Sequence, residues 1–434
     1  MPFKFPRSIF VAAFVYGVAC SGTPSGEAEP ENDSGGAGGE SAAMVGAGGE
    51  TFSAGGAAGD AVQAGTAGSS AGGSNVAGAS GGMAGAMSAG GAGSMGGAGG
   101  IAPQGPGVPI VVALGDGGFT MASCDLGRSW KVNMQFSGVR GDHTEWTTFG
   151  GMAFGNGMFV GATGWGAPGH MISSANGVGF TEIPDSAFTR NNQAVGLNDS
   201  IGGIAFDGTS FVAFSRYVLT STDGIAWSAR DNSWPRGVQQ LRQLRGFPSK
   251  GLLVASVETQ NGGDHPLGNW VVVSNNNGKT WTEGTGFRGS CANPIQHTGD
   301  IELVGDTLVV GASDVCRSTD LGKTWEFVGA PSGGQVGDVF ADQTAFYIVG
   351  GDRLMRSTDG KTWQVFGQKL PEAVHRGVFA NGRYVVMNAR ATKVFSSVDG
   401  LAWQAVSPAG VGGNQQIRDL IVGRGLPSAM CAVP

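Results

Sequence analysis

The stretch Ser318-Thr319-Asp320-Leu321-Gly322-Lys323-Thr324-Trp325 recurs along the chain and decides the fold. Copies with the same spacing begin at Ser123 and Ser274, copies one residue shorter begin at Ser221, Ser357 and Ser397, and a degenerate copy runs from Ser174 to Phe180. The third position of each copy is Asp or Asn: Asp125, Asn176, Asp223, Asn276, Asp320, Asp359 and Asp399. These positions are 39 to 53 residues apart, which is the period of a four-stranded propeller blade.

Short apolar strands flank each copy. In the last repeat the sequence predicts strands at 376–380, 383–388 and 392–397, then the turn, then a strand at 402–406. The first repeat lacks an innermost strand, and the stretch 415–422 has the pattern of such a strand without a blade of its own. We therefore expect an all-β, seven-bladed β-propeller closed by the C-terminal strand beside 110–114, which removes the free sheet edges.

The repeated turn resembles the Asp-box, also called the bacterial neuraminidase repeat, of the sialidases and of several other propeller families. Its side chains suit a structural role, because Asp or Asn accepts hydrogen bonds from turn amides, Gly supplies a positive φ, and Trp packs the turn onto the sheet. We assign the seven Asp and Asn residues to turn stabilisation and none of them to catalysis.

The N-terminal segment has the pattern of an export signal. Two basic residues, Lys4 and Arg7, precede the apolar run 8–19, which is too short to span a bilayer as a helix. The stretch Gly17-Val18-Ala19-Cys20 resembles a bacterial lipobox, which implies a signal peptide over 1–19 and lipidation of Cys20. The predicted location is therefore outside the cytoplasm, anchored by lipid to the outer membrane or cell surface; secretion without lipid is the alternative.

Composition changes sharply after the signal. The chain holds 81 Gly in 434 residues, and Gly and Ala crowd the stretch between about residues 34 and 107, where too little apolar surface exists to repay the entropy of ordering. We interpret 20–107 as a disordered Gly/Ala/Ser linker that follows the lipidated cysteine, and 108–434 as the propeller. Seven of the 33 acids lie in that linker. The propeller carries 24 bases and 26 acids, a balance that argues against nucleic acid and against an anionic membrane surface as partners.

Four cysteines remain once Cys20 is set aside, an even number for an oxidising compartment. Three pairings are possible, and the preferred one joins Cys124 to Cys431 across the closure and Cys291 to Cys316 inside blade five. No two of these cysteines have CxxC spacing and the five His form no ligand cluster, so we expect no metal site and no cofactor.

Function is expected on one face. The links between second and third strands, and those between blades, vary widely in length, whereas the opposite links are short; variable loops mark a binding surface. Trp165 and Trp234 fall in the variable links and could stack on sugar or peptide. Aligned starts of the innermost strands also place Arg245, Arg376 and Arg418 with Asp300, Asp338 and Asp419 around the top of the channel. This ring is either a pocket for an anionic or polyhydroxylated ligand or a set of internal ion pairs.

Two functions remain open. The preferred one is a surface-tethered, monomeric, noncatalytic propeller that binds a glycan or an extracellular or periplasmic protein, with the three arginines and the two tryptophans as ligand-binding candidates. The alternative is a glycoside hydrolase of sialidase or endoglucanase type, with Asp300, Asp338 and Asp419 as catalytic candidates. The sialidase resemblance is incomplete, since the start of the domain has no Phe-Arg-Ile-Pro-like signature. The photosystem assembly factor, a related propeller family with an Arg-lined patch, implies a protein partner for the same arginines.

Overall fold

The computed structural model describes residues 107–133, 151–163, 169–197, 201–231, 234, 238, 240–259, 268–287, 291, 300–311, 314–331, 336–412 and 416–425. The signal peptide, Cys20 and the linker up to 106 lie outside these residues, so their interpretation stays a prediction. In the described part of the chain, no helix has the length and apolar character needed to span a bilayer.

The described residues form thirty strands and three short 3-10 turns. The turns are Asp116–Gly118, Asp185–Ala187 and Pro248–Lys250. In chain order the strands are β1 (Val108–Gly115), β2 (Thr120–Ser123), β3 (Lys131–Asn133), β4 (Met152–Gly155), β5 (Met158–Thr163), β6 (His170–Ser174), β7 (Thr181–Glu182), β8 (Phe188–Arg190), β9 (Gln193–Ala194), β10 (Gly203–Phe206), β11 (Phe211–Phe214), β12 (Tyr217–Ser221), β13 (Trp227–Asp231), β14 (Gln240–Phe247), β15 (Leu252–Thr259), β16 (Gly268–Ser274), β17 (Thr282–Glu283), β18 (Ile301–Val304), β19 (Thr307–Gly311), β20 (Val315–Ser318), β21 (Glu326–Gly329), β22 (Asp338–Ala341), β23 (Phe346–Val349), β24 (Leu354–Ser357), β25 (Gln364–Phe366), β26 (Arg376–Ala380), β27 (Arg383–Met387), β28 (Val394–Ser397), β29 (Gln404–Val406) and β30 (Ile417–Gly425).

Seven antiparallel sheets form the blades. From the axis outward they are β30-β1-β2-β3, β4 to β7, β10 to β13, β14 to β17, β18 to β21, β22 to β25 and β26 to β29, numbered one to seven. Each inner strand contacts the inner strands of the two neighbouring blades, and β26 contacts β30, so the ring is closed. The predicted all-β, seven-bladed propeller is therefore confirmed.

The C-terminal strand completes blade one. β30 pairs antiparallel with β1 over its whole length, with Val422 opposite Val111 and Gly425 opposite Val108. This pairing is the predicted closure of the ring. We call the face at which β30 and the other inner strands begin the top face. The chain enters the propeller at the opposite, bottom face, since Gly107 lies beside Gly425.

The core lies between neighbouring sheets. Apolar side chains from adjacent blades interdigitate, and each turn of the repeat packs onto the blade before it: the ring of Phe211 and the side chains of Met158 and Val160 surround Gly224. Gly322 shows why the repeat requires glycine. Its φ is 87°, and a Cβ there would lie 2.6 Å from a methyl group of Val273.

The seven turns share one set of hydrogen bonds. In each, the Ser hydroxyl donates to the Asp or Asn side chain two residues later and accepts from the Gly amide. Burial alone would raise the pKa of Asp359, but hydrogen bonds from the amides of Thr362 and Lys361 and from the Ser357 hydroxyl lower it to about 2. The carboxylate is therefore the form that holds the turn.

Blade three departs from the expected pattern. The link from blade two, one of the long variable links, contains the hairpin β8–β9, and β8 pairs in parallel with the outer strand β13. Phe188 of β8 is fully buried and its ring lies 6.1 Å from that of Trp227. The hairpin covers the outer edge of this sheet and buries a tryptophan that the repeat places there.

Candidate functional site

Arg245 occupies a buried site between blades four, five and one. Its Nη1 and Nη2 donate to the two oxygens of Asp419 at 3.1 and 3.0 Å, and Nη2 also donates to Asp300. Arg245 is buried, with 3% of its surface exposed. Burial would lower the pKa of Arg245, but the charges of Asp300 and Asp419 raise it, so the guanidinium stays charged. Both terminal nitrogens are thus used inside the protein, as in the internal ion-pair interpretation.

The position of Arg245 differs from the sequence alignment. The alignment put Arg245 at the start of an inner strand, whereas β14 is eight residues long, begins at Gln240 and pairs with β15 at seven positions, with a bulge at Arg242. Arg245 is therefore inside the strand, below the top face. Its guanidinium reaches Asp300 beside blade five and Asp419 of blade one, on the far side of the ring, and these contacts enclose it.

Asp300 and Asp338 contact each other. The two carboxyl groups share a hydrogen bond, which requires a proton on one of them. Burial and the nearby charge of Asp300 raise the pKa of Asp338 well above its ordinary value. Burial would also raise the pKa of Asp300, but the guanidinium of Arg245 and the hydrogen bond from Asp338 lower it. Asp338 is therefore the neutral acid and Asp300 the carboxylate.

Asp338 and Asp419 also join neighbouring blades through backbone amides. Asp338 accepts from the amide of Gly377 in blade seven at 3.0 Å, and Asp419 accepts from the amide of Met152 in blade two at 2.8 Å. These acids are buried, with 2% exposure each, and Asp300 has 8%. The three predicted acids are thus together, as the sequence indicated, and each is bonded within the protein.

Arg418 pairs with a residue that the sequence did not single out. Its Nε and Nη2 donate to the two carboxylate oxygens of Asp116 at 2.7 and 2.9 Å. Asp116 follows β1 and Arg418 belongs to β30, so this partly exposed pair ties the two closing strands at the top face.

Arg376 is held differently from the other two arginines. It is the first residue of β26 and is half-buried. Nη1 donates to the carbonyls of Gly337 and His375 at 3.3 and 3.2 Å, and Nε donates to the carbonyl of Arg418 at 3.3 Å. Among the described residues, no carboxylate lies within ion-pair distance and no acceptor is bonded to Nη2. Arg376 is therefore held at the top face by backbone carbonyls, and it is close enough to Asp300 and Asp338 for its charge to lower the pKa values of both.

Further cations surround Arg376. The links at the top of blades six and seven, residues 350–353, 367–376 and 388–393, carry five basic and two acidic side chains. We call the five bases the blade six–seven patch: Arg353, Lys369, Arg376, Arg390 and Lys393. Four of them are exposed and Arg376 is half-buried. Of the two acids, Asp352 pairs with Lys369 at 2.8 Å and Glu372 accepts from the amide side chain of Asn388 at 3.2 Å.

The links that carry the patch are ordered by backbone contacts. The amides of Leu370 and Val374 donate to the carbonyls of Asp352 and Gly351, and the amide of His375 donates to the carbonyl of Met387. Within the described residues, Arg353, Arg390 and Lys393 have no carboxylate partner. The patch is therefore a positively charged surface on a fixed backbone, which suits a ligand with several carboxylates.

Of the two tryptophans predicted to bind a ligand, only Trp234 lies among the described residues. Trp234 packs on Phe214 and on Trp281 of the blade-four turn, with ring centroids 4.3 and 4.8 Å apart, and it is partly buried. This packing uses the faces that a ligand would stack on. Trp165 lies outside the described residues.

One predicted disulfide is present. Cys291 and Cys316 are buried and bonded, which attaches the link before β18 to β20 of blade five. Cys124 is also disulfide-bonded, and its predicted partner, Cys431, lies outside the described residues. No group of three or more His, Cys, Asp or Glu side chains in the described ranges is arranged to hold a metal ion.

The fold and site define a seven-bladed propeller with a basic patch at the top of blades six and seven. No protein-family model and no curated protein matches the chain. Solved structures similar to it include YCF48 bound to a D1 peptide, at 15% identity and a TM-score of 0.45, covering 73% of this chain and 89% of that one. YCF48 from Cyanidioschyzon merolae is 13% identical with a TM-score of 0.39, covering 63% and 94%. The GH74 enzyme of Niastella koreensis is 12% identical with a TM-score of 0.35, covering 68% and 62%. At these identities and TM-scores the similarities concern the fold and carry no argument about function.

Proposed function

We propose that this protein is a surface-tethered, noncatalytic propeller whose blade six–seven patch binds an acidic segment of a protein ligand. The observation that carries the proposal is the excess of basic over acidic side chains in the links that form the patch. Five cations share the top of two blades with two carboxylates, and Arg376 is fixed by three carbonyls with Nη2 left for a ligand. Arginine on a fixed backbone recognises carboxylates well, because its planar fork is already oriented.

A protein ligand fits better than a glycan. Glycan sites commonly stack sugar rings on aromatic faces, and Trp234 has its faces packed against Phe214 and Trp281. Acidic side chains or a C-terminal carboxylate need only the cations that the patch supplies. Binding of an anionic glycan instead is an outcome that the experiment below separates.

The glycoside hydrolase alternative has one observation in its favour. Asp338 has a raised pKa, as a general acid requires, and Asp300 beside it is ionised. Against it, both acids are buried and bonded to each other, and a glycosidase needs its two carboxyl groups about 5 to 10 Å apart on either side of a bond. Turnover of a fluorogenic sialoside or of a β-glucan, lost in Asp338→Asn, would establish the enzyme and remove the noncatalytic proposal.

The tether belongs to the proposal as well. The apolar run 8–19 and Cys20 support export and a lipid anchor, and the linker's composition supports a spacer between membrane and propeller. The shared Ser, Asp and Gly contacts of the seven turns support the Asp-box resemblance, with a structural role for those residues.

The binding experiment uses two anionic probes and two matched variants. Octaglutamate represents an acidic peptide and sialyllactose an anionic glycan. Replacing Arg353, Arg390 and Lys393 by Gln removes three exposed charges from the patch, and replacing Lys279, Lys323 and Lys361 by Gln removes three exposed charges from the bottom face. We expect octaglutamate affinity, measured by fluorescence anisotropy in 50 mM NaCl, to fall at least tenfold in the patch variant and less than twofold in the control. Equal losses in both variants, or no binding to wild type, would reject the patch; preference for sialyllactose would make the ligand a glycan.

A further inference from the structure

Two arginines lie close together at the bottom face, at the junction of blades seven and one. The repeated turn of blade one packs onto blade seven there, since a Cβ on Gly127 would lie 3.0 Å from a methyl group of Val385 and 3.3 Å from the Cβ of Ser396. Arg128 follows this glycine, and Arg383 lies two residues before Val385 on the same face of β27. The two arginines therefore flank one contact between blades, where Arg128 is exposed and Arg383 is half-buried.

The charges of these two arginines act on each other. Burial and the charge of Arg128 lower the pKa of Arg383, whereas the charge of Asp125 raises it. The carboxylate of Asp125 is used inside its own turn, where it accepts from the hydroxyls of Ser123 and Ser129 and from two backbone amides. Among the described residues, neither guanidinium has an ion-pair or hydrogen-bond partner. The junction therefore presents two like charges to solvent.

The junction of blades five and six has the same packing but contains its own acid. The turn of blade six packs onto blade five, since a Cβ on Gly360 would lie 2.7 Å from a methyl group of Val309 and 3.4 Å from the Cδ of Arg317. Lys361 follows this glycine, in the position that an arginine has in blade one. Both bases bond to Glu326, whose carboxylate accepts from Nζ of Lys361 at 2.9 Å and from Nη1 of Arg317. The two positive charges at this junction thus share a counter-charge from the protein.

Blade seven has a neutral residue where blade five has this acid. Glu326 follows the turn tryptophan of its blade and lies opposite Arg317 in the strand ladder. Gln404 follows the turn tryptophan of blade seven and lies opposite Ser396. Position for position, the junction of blades seven and one therefore has Gln404 in place of Glu326. Its two arginines lack the counter-charge that the equivalent bases have, so a ligand can supply it.

We infer that Arg128 and Arg383 bind a tetrahedral oxyanion, the phosphate or sulfate group of a ligand, at the bottom face. The two guanidinium groups come from different blades and approach a ligand from two directions. A tetrahedral oxyanion has oxygens for both, whereas a carboxylate is matched by a single guanidinium fork. The anion takes the role that Glu326 has between blades five and six. This site is separate from the blade six–seven patch and does not depend on the function proposed for it.

The rate at which phenylglyoxal modifies each arginine of the full chain, mapped by mass spectrometry, measures occupation of the site. We expect 10 mM phosphate at pH 7.5 to slow modification of Arg128 and Arg383 about threefold relative to NaCl of the same ionic strength, as for a ligand at twice its dissociation constant. Sulfate should protect both residues in the same way, and glycerol 3-phosphate should protect them more strongly if the natural ligand is an ester rather than the free ion. Equal protection by acetate, or no protection by phosphate, would overturn the proposal.

Two single substitutions exchange the properties of the two junctions. Gln404→Glu adds the missing acid and leaves both arginines in place, and we expect it to abolish the protection of Arg128 by phosphate. Glu326→Gln removes the acid between blades five and six, and phosphate should then protect Arg317, which it does not protect in wild type. Both positions are at least partly exposed, so neither change disturbs the core. Protection of Arg128 that persists in Gln404→Glu, or an Arg317 that stays unprotected in Glu326→Gln, would contradict the role of the missing counter-charge.

Discussion

Arg245 and Arg376 are both inner-strand arginines near the top of the channel, yet their surroundings differ. Arg245 lies inside β14, enclosed by Asp300 and Asp419, with both terminal nitrogens bonded to carboxylates. Arg376 is the first residue of β26, at the face, and its bonds go to backbone carbonyls. The guanidinium of Arg245 is bonded directly to carboxylates, whereas that of Arg376 is bonded to carbonyls and acts on Asp300 and Asp338 only from beyond ion-pair distance.

The difference follows from where each residue lies in its strand. A buried guanidinium such as that of Arg245 cannot be left without counter-charges, because an unpaired buried ion costs several kcal/mol. At the end of a strand, water and ligand can solvate the charge, so neutral acceptors suffice. The number of carboxylates around an arginine therefore distinguishes a residue that holds this propeller together from one that can bind a ligand.

The largest expected difference between the two arginines is in their contribution to the free energy of unfolding. Arg245→Met leaves Asp300 and Asp419 buried without their cation, and we expect it to reduce the free energy of unfolding by about 3–5 kcal/mol. Arg376→Met should change it by less than about 1 kcal/mol, since only half-buried, neutral contacts are lost. Urea denaturation followed by tryptophan fluorescence measures both variants. Similar losses in the two would show that counter-charges do not separate their roles.

The next effect concerns the proton of Asp338. Because its pKa is raised in the folded protein, the folded state binds more protons than the unfolded state above the unfolded value of 3.8. Stability from this group is present below that value and is lost as pH rises through the folded pKa, at up to about 1.4 kcal/mol per pH unit. Asp338→Asn stays neutral and still has an NH₂ donor for Asp300, so the slope should vanish.

Urea midpoints from pH 5 to 9 test this expectation as a difference between wild type and variant. Wild type and variant must be compared because His375 also titrates in this range. Burial and the charge of Arg376 lower the pKa of His375 in the folded protein. The free energy of unfolding therefore rises with pH, because of His375, up to about its unfolded pKa of 6.5. A wild-type curve parallel to that of Asp338→Asn would mean that Asp338 is ionised in the folded protein.

Arg418 is intermediate between Arg245 and Arg376, because it has a carboxylate partner but is partly exposed. Its bidentate pair with Asp116 is partly exposed, at 30% and 23% of the side chains, and solvent weakens such pairs. We expect Arg418→Met to reduce the free energy of unfolding by about 1 kcal/mol, between the other two arginines. The same urea experiment in 50 and 500 mM NaCl should show a smaller loss at high salt. A loss as large as that of Arg245→Met would indicate that closure depends on this pair.

Much of the fold could be predicted from the sequence, because a repeated turn reports the blades directly. The period of the Asp and Asn positions predicted seven blades, and the unassigned strand at the C-terminus predicted the closure by β30. The hairpin β8–β9 could not be predicted in the same way, since it occurs once and its strands are three and two residues long. Its parallel pairing with β13 depends on contacts that only the assembled blade provides.

The site was predicted in part for a similar reason. Aligned strand starts brought Arg245, Asp300, Asp338 and Asp419 to one place, but the partners Arg245 and Asp419 are 174 residues apart, and the sequence does not say which carboxylate faces which arginine. Arg353 and Arg390 were missed because they lie on separate links with no shared motif. Counting charges over all links of one face would have found them.

Because β30 is the last strand of the propeller along the chain, the ring closes only after β30 has been synthesised. The innermost strand of blade one is made last, so blade one and the edges of β4 and β26 stay without their partner until the final strand has emerged. Six blades can be complete while the ring is still open. A stop codon just before Ile417 would therefore act on the whole propeller, leaving a chain with exposed strand edges that invite aggregation and proteolysis, although every copy of the repeated turn would be intact.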